Sequence, residues 1–242
     1  MTTLIKLIVA TILSLTLFSC NFDFNLNTGI RGNGNVVTET RNTDATFNTI
    51  KATEGLDVYL TQSNTPSILV EADENLQELI LTEIENGVLK IHTKENIGSA
   101  SSKKIMVSFQ DISKIISTSG ADVYSTNTLT LENLELKSTS GSDMKLNLKT
   151  NVLTCKSTSG SDMRLSGSTV KLYAESNSGS DINAADLMAE SSQVKASSGA
   201  DIVVNSSKEL VAKASSGGDI KYYGNPEKVE KSNNPSGSIS QK

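Results

Sequence analysis

Large aromatic side chains are scarce in this sequence: tryptophan is absent, and phenylalanine and tyrosine together make up 4% of the residues. The hydrophobic fraction of 36% lies below the roughly 45–50% (glycine included) that is usual for globular domains. A conventional globular core needs large side chains, so we expect a narrow interior filled by small and medium ones. Valine, isoleucine and leucine still recur in short alternating runs, which is not typical of a disordered chain.

Only two cysteines and one histidine occur in the 242 residues. Cys155 occupies an alternation position that Leu136 and Ala174 fill in the neighbouring segments, so we interpret it as a small buried hydrophobe. His92 has no cysteine or histidine nearby in sequence and is expected at the surface. Phosphate-binding loops, zinc-ligand spacings and nucleophile-elbow motifs are absent. We therefore predict that the protein is not an enzyme and has no catalytic residue, cofactor or metal site. The net charge of −5 gives no electrostatic footprint for nucleic acid.

The one long apolar stretch opens the chain, from Leu4 to Phe18, with Lys6 near its start. It is shorter than the ~20 residues that a membrane span needs, and it has the length of a signal-peptide core. It ends in Leu-Phe-Ser-Cys20, which resembles the bacterial lipobox. That resemblance implies a lipoprotein signal peptide over residues 1–19 and a diacylated Cys20. The alternative is ordinary secretion with Cys20 left as a free thiol.

These features predict four segments. After the signal peptide, residues 20–45 are rich in Asn, Thr and Gly and read as a lipidated spacer. Residues 46–225 carry the regular pattern described next, and residues 226–242 read as a C-terminal tail. We expect a protein of the bacterial cell envelope that is held by its N-terminal lipid in the outer membrane. The sequence leaves open which face of that membrane it occupies.

The folded segment begins with alternating strands and a hairpin and continues as a repeat. Asn86-Gly87 stands between two apolar runs, and this dipeptide favours a tight hairpin turn. A Ser-Gly pair followed two residues later by aspartate then recurs six times. The glycines lie at intervals of 21, 19, 19, 20 and 18 residues, so each repeat is one stacked unit. They are Gly120, Gly141, Gly160, Gly179, Gly199 and Gly217.

Apolar residues alternate on both sides of each glycine, as Leu134 and Leu136 do before Gly141 and Met144 and Leu146 after it. Two short strands and a Ser-Gly bend then make one coil of about 20 residues. The predicted fold is all-β: a parallel β-solenoid with an N-terminal portion that contains a hairpin. Neither leucine-rich repeats nor calcium-binding nonapeptide repeats fit the pattern. The serines of the bends are expected to point inward as a column of hydroxyls: Ser119, Ser140, Ser159, Ser178, Ser198 and Ser216.

The layout of the chain resembles that of the head GIN domain family. It comprises a signal sequence with a lipobox, a spacer, an opening strand with Gly55-x-Asp57, a hairpin and serial Ser-Gly-Ser-Asp coils. The resemblance covers Phe47 to Asn225. The family is described as auto-transporter adhesins and is known from envelope lipoproteins of Gram-negative bacteria. The resemblance implies a right-handed parallel β-helix and a role in adhesion, and it carries over no ligand-binding residues.

The aspartates of the repeat are the candidate site. They are expected to stack on one outer face, where like charges about 5 Å apart repel. A bound cation such as calcium is one way to offset that repulsion. The other is neutralisation by neighbouring cations such as Lys145 and Arg164, with each carboxylate capping its own bend. We favour the second, structural interpretation. The residues are Asp122, Asp143, Asp162, Asp181, Asp201 and Asp219.

Three functions remain open at this stage. The first is adhesion or partner binding by the repetitive surface, with an unidentified protein or glycan as the partner. The second is a carbohydrate-active or glycan-binding β-helix, although carboxylates that recur in every coil do not resemble a singular active site. The third is a purely structural envelope component.

Overall fold

The computed structural model describes residues 29–42, 45–234 and 236–242. Across these ranges the chain is almost entirely β-sheet, and its helical part is a single 3-10 turn at Glu74–Leu76. Within the described part, no helix has the length and apolar character needed to span a membrane. The predicted parallel β-solenoid is confirmed, with roughly 19 residues per turn.

Seventeen strands join in one sheet that winds around the solenoid. The strands are β1 (Val36–Arg41), β2 (Thr49–Ala52), β3 (Asp57–Gln62), β4 (Ser67–Asp73), β5 (Ile80–Glu85), β6 (Val88–Thr93), β7 (Lys103–Phe109), β8 (Lys114–Ser117), β9 (Asp122–Ser125), β10 (Leu129–Thr139), β11 (Asp143–Thr158), β12 (Asp162–Asn177), β13 (Asp181–Ser197), β14 (Asp201–Ser215), β15 (Asp219–Tyr223), β16 (Lys228–Asn233) and β17 (Ser238–Gln241).

The coils stack in parallel register along two faces. Before each bend, the order is β6, β2, β8, β10, β11, β12, β13, β14 and β16; after each bend, it is β7, β3, β9, β11, β12, β13, β14, β15 and β17. The strands β11 to β14 each run from one bend around the opposite corner to the next bend. Equivalent positions of successive coils therefore stack on one another, as Met144 stacks on Met163.

The N-terminal end is built differently. The coil of β6 and β7 stacks in front of β2 and β3, although it comes later in the chain. Antiparallel strands then cover it: β5 pairs with β6, β4 with β7, and β1 with β4. The predicted hairpin is the pair β5–β6, whose turn residues Asn86 and Gly87 both have positive φ. Antiparallel cover of this kind ends the parallel ladder and protects its edge.

A buried carboxylate ties the N-terminal segment to this end. Asp73 is fully buried and accepts backbone N–H hydrogen bonds from Gly34 (2.6 Å), Ser101 (2.7 Å) and Ser102 (3.1 Å). Gly32 lies so close that a β-carbon there would overlap the carboxylate. Burial alone would raise the pKa of Asp73, but the hydrogen bonds from Ser102, Gly34 and Ser101 outweigh it and lower that pKa.

Regular structure extends past both boundaries drawn from the sequence. The strand β1 lies in the segment 20–45 that we interpreted as a spacer, and β16 and β17 lie in the segment 226–242 interpreted as a tail. Neither segment carries the apolar alternation of the repeat, because terminal coils have a solvated side. At the C-terminal end, the Lys231 ammonium stands 4.7 Å from the ring centre of the buried Tyr222 and so covers the last apolar layer.

Each bend is a Ser-Gly pair in which both residues have positive φ, for example 58° at Ser140 and 67° at Gly141. The N–H of Gly141 donates to the carbonyl oxygen of Ser159 in the next coil at 3.1 Å. This bond makes a ladder along the corner, because it recurs at Gly55, Gly120, Gly160, Gly179, Gly199 and Gly217.

The expected inward column of bend serines is wrong. Ser119, Ser140, Ser159, Ser178, Ser198 and Ser216 are all exposed. Ser140 has positive φ and is not in the strand conformation, so its side chain turns outward although Ser138 and Ser142, two residues before and after it, are buried.

The buried hydroxyls instead flank each bend. Ser138 and Ser142, on either side of one bend, are fully buried, with their Oγ atoms 2.8 Å apart. Ser142 also accepts the N–H of Thr139 at 3.2 Å and donates to the carbonyl of Thr139 at 2.9 Å. The Oγ–Oγ contact recurs between Ser157 and Ser161 and between Ser176 and Ser180. A buried hydroxyl is tolerated when it is hydrogen-bonded in this way, and here it ties together the two strands that leave the bend.

The rest of the interior is a single column of aliphatic side chains. Every apolar position named from the alternation around Gly141 is buried. Cys155 lies among them with 1% of its surface exposed, as expected, and burial raises the pKa of its thiol.

We expect Cys155→Asp to destabilise the fold by several kcal/mol, on the order of the cost of an unpaired buried charge. Cys155→Ala should cost about 1–2 kcal/mol, because it only leaves a small void. Urea unfolding of the two variants measures the difference. Equal losses for both would contradict the buried placement.

Candidate functional site

The repeat aspartates form the predicted column. The register pairs Asp122 with Asp143, and the series continues through Asp162, Asp181, Asp201 and Asp219. Asp57 extends it by one coil at the N-terminal end, next to Lys104. Adjacent strands of a sheet lie about 4.8 Å apart, so each carboxylate from Asp122 to Asp201 has like charges above and below it.

Burial and like charges raise the pKa of three carboxylates of the column. Partial burial and the charges of Asp143 and Asp57 raise the pKa of Asp122. Partial burial likewise raises the pKa of Asp162 together with Asp143 and Asp181, and that of Asp201 together with Asp181 and Asp219. Each of these three groups favours the neutral form more than it would in an unfolded chain.

Cations do not interleave with the column as expected. Among the described residues, its one ion pair joins Arg164 Nη2 to Asp162 Oδ2 at 3.6 Å. Lys156 and Lys195 contact Glu175 instead, each at 3.6 Å, on the face before the bend. The lysines that precede a bend and the carboxylates that follow it lie on different faces of the solenoid, so they do not meet.

The aspartates do not cap the bends either. That role belongs to the buried serines Ser142, Ser161 and Ser180. The carboxylate of Asp122 accepts the phenol hydrogen of Tyr124 at 3.3 Å, and this ring stacks on Tyr59 with centroids 5.2 Å apart. Within residues 29–42, 45–234 and 236–242, no group of three or more histidine, cysteine or acidic side chains converges as metal ligands would.

The other residues singled out from the sequence lie apart from this column. Cys20 falls outside the described residues. His92 is partly exposed on β6, and its Nε2 lies 3.1 Å from Glu83 Oε2.

A groove at the corner opposite the bends was not predicted. It encloses about 790 Å³ and crosses successive coils. Its floor is a row of nearly buried residues, and an exposed row stands on each side of that floor. The floor is Leu131, Thr150, Thr169 and Ala189; one rim is Thr130, Lys149, Ser168 and Met188; the other is Glu132, Asn151, Val170 and Glu190.

The register aligns these rows rung by rung: Thr150 lies on Thr169, and Thr169 on Ala189. The Oγ1 atoms of Thr150 and Thr169 are hydrogen-bonded at 2.9 Å. On the rims, Met188 is 67% exposed and Val170 38% exposed, unusual values for apolar side chains on a polar surface.

Uneven repeat lengths are the sequence signal for this corner. The bends stay in register, so coils of 18 to 21 residues place their extra residues at the opposite corner. Between β13 and β14 the register shifts after Ala184 and resumes at Met188, which leaves Ala185 to Leu187 without partners in that ladder. Met188 lies just after this irregularity, in register with the exposed Ser168 of the preceding coil.

Together, these features define a parallel β-solenoid whose polar groups repeat from coil to coil. Residues 46–226 match the family described as "Putative auto-transporter adhesin, head GIN domain", and the chain belongs to this family. Its description supports an adhesin-like role without catalysis and a location in the envelope or at the cell surface. None of the curated proteins matches the chain.

Solved structures share the fold. A "putative adhesin" from Bacteroides fragilis has a TM-score of 0.81 at 22% identity, over 88% of this chain and 100% of that chain. A "putative lipid binding protein" from Parabacteroides distasonis has a TM-score of 0.72 at 22% identity, over 88% and 99%. A "putative adhesin" from Parabacteroides merdae has a TM-score of 0.71 at 19% identity, over 88% and 98%. At these identities the likeness concerns the fold alone.

We expect Asp162→Asn and Asp73→Asn to change stability in opposite directions. The pKa of Asp162 is raised, so its charge costs stability as the pH rises above the pKa that this group has in the unfolded chain. The amide should therefore raise the melting temperature at pH 7, with a gain in the free energy of unfolding of up to about 1 kcal/mol. The pKa of Asp73 is lowered, so its contribution is present at neutral pH and lost in acid; its amide should lower the melting temperature at pH 7. Thermal melts at pH 7 and pH 2.5 should show both differences shrinking in acid. A loss of stability in Asp162→Asn at pH 7 would contradict the raised pKa of Asp162.

We also expect the melting temperature at pH 7 to be the same with 5 mM calcium and with excess chelator, because one carboxylate per coil does not make a cage. Differential scanning calorimetry measures this. A calcium-dependent rise of several degrees, lost in Asp162→Asn, would revive the cation interpretation by mass action.

Proposed function

We propose that this chain is a lipid-anchored, non-catalytic protein of the bacterial outer membrane that binds a partner through the outer surface of its solenoid. The observation that carries the proposal is the groove of about 790 Å³ along successive coils. A ligand that lies along stacked coils meets the same kind of contact several times, so many weak contacts add up.

The arrangement of polar groups supports binding over catalysis. The carboxylates stand one per coil and recur in the same environment, whereas acid–base chemistry uses pairs with different environments. The groove likewise mixes hydroxyl, amide, carboxylate and apolar side chains without a nucleophile and base in contact among the described residues. The partner is a protein or a glycan outside the cytoplasm.

In this proposal, Cys20 carries the lipid that anchors the protein. We expect Cys20→Ser to move the protein from the membrane fraction to the soluble fraction, because the lipid is removed and the rest of the chain has no comparable apolar stretch. Detergent partitioning and fractionation in high salt measure the change, with Cys155→Ala as the matched control that should stay with the membrane. A Cys20→Ser protein that still pellets with membranes at high salt would refute the anchor.

Adhesion is tested in the same cells. Cells that carry the wild-type protein should attach to a coated surface or to one another more than cells with Cys20→Ser, and added soluble protein spanning residues 21–242 should compete. Purified protein incubated with the bound material should release no fragments. Unchanged attachment in the mutant, or release of fragments, would count against a non-catalytic adhesin.

A further inference from the structure

The groove is periodic in a way that favours a periodic ligand. Each coil contributes one floor residue and one residue to each rim. The register pairs the floor residues and those of the first rim from rung to rung, and on the second rim Asn151 donates a hydrogen bond to Glu132 of the preceding coil. Rungs lie about 4.8 Å apart. An extended peptide advances only ~3.3 Å per residue, so successive residues would fall out of step with the rungs. A pyranose ring with its glycosidic oxygen advances by nearly one rung, so successive sugars would meet equivalent positions.

The chemistry of the lining fits sugar rings. Thr130, Ser168 and Asn151 offer hydroxyl and amide groups that can donate to and accept from sugar hydroxyls. The exposed methyl and thioether groups of Val170 and Met188 lie on opposite rims and offer apolar contact to the C–H faces of the rings. No aromatic side chain lines this groove.

The charges of the groove disfavour an acidic polymer. Among the described residues that line it, Asp111, Glu132 and Glu190 are acidic and Lys149 is the one cation. Glu132 accepts a hydrogen bond from Asn151, and Glu190 pairs with Lys208 at 2.6 Å. The acidic excess would repel uronic acid or phosphate groups, while these local partners hold the carboxylates in place as acceptors for hydroxyls.

The groove also has a defined length. At its N-terminal end Gln62 donates to the carbonyls of Gln110 and Thr130 and accepts the N–H of Thr130, so its side chain is fixed there. At the other end the lining finishes at Ser207. The span covers four rung spacings, about 19 Å.

We propose that this groove binds a linear, uncharged polysaccharide segment of about four sugar rings that lies parallel to the solenoid axis. The proposal rests on the proposed binding function and names its ligand class and site. One ring lies over each rung between the two rims.

Isothermal titration calorimetry of the protein spanning residues 21–242 tests it with cellohexaose, maltohexaose and chitohexaose, and with hexagalacturonate and hexa-alanine as charged and peptide probes. At least one neutral hexaose should bind, and its disaccharide should bind at least tenfold more weakly. Val170→Arg, which fills the groove, should weaken binding by about tenfold or more, the equivalent of about 1.4 kcal/mol. Val229→Arg is the matched control, because Val229 is also 38% exposed but lies on β16 outside the groove.

Circular dichroism melts confirm that each variant folds. If Val170→Arg does not fold, Ser168→Arg on the other rim takes its place in the test. Binding of none of the three neutral hexaoses would overturn the proposal. So would stronger binding of hexagalacturonate or hexa-alanine, or equal binding by Val170→Arg and wild type. If Val170→Arg protein still competes in the attachment assay, the proposed function stands and the groove is not its site.

Discussion

The rest of this structure depends on the two-residue bend with positive φ. The glycine N–H of each bend donates a hydrogen bond along the solenoid axis to the next coil. Once Gly141 donates to Ser159, the two coils are locked in one register, and every position before and after the bend is aligned with its counterpart. Glycine takes positive φ without cost, whereas serine does so rarely, so the pairing must be held by its surroundings. The buried Ser138–Ser142 contact provides that support from inside the corner. The regular aspartate column follows from the same register.

The narrow interior explains both the composition and the ends. A solenoid coil encloses one layer of side chains, so small and medium residues such as leucine, valine, alanine and serine fill most of it, and the buried aromatics Phe109 and Tyr222 lie on β7 and β15, near its two ends. Such a stack exposes a full apolar layer at each end unless something covers it. Antiparallel strands anchored by Asp73 cover one end, and Tyr222 beneath Lys231 closes the other. The strands that cover the ends of the solenoid do not show the sequence pattern of the repeat, because they face solvent on one side.

The sequence therefore predicted what is periodic and missed what is singular. The period near 20, the hairpin at Asn86-Gly87 and the inward positions such as Leu136 follow from local alternation, which the coils obey. The direction of Ser140 could not be obtained by alternation, since its positive φ takes it out of the strand conformation to which alternation applies. The stacking of β6 and β7 in front of β2 is a long-range arrangement that no local pattern encodes. The geometry of the aspartate column was predicted, and Arg164 contacts Asp162 as expected, but Lys156 and Lys195 lie before their bends and contact Glu175 on the other face instead. The groove left a trace only in the unequal repeat lengths.

The contrast between column and groove bears on how a repetitive surface can be selective. Long β-faces invite association with any extended chain, and stacked like charges oppose such contacts over a whole face. Partial burial together with this repulsion raises the pKa of Asp122, Asp162 and Asp201, and the axial ladder of backbone hydrogen bonds holds the coils in register beside them. At the opposite corner the carboxylates are paired locally and apolar groups are exposed, so contact there is not opposed. One register thus produces a face on which like charges stack and a corner at which the carboxylates Glu132 and Glu190 have local partners and apolar side chains are exposed.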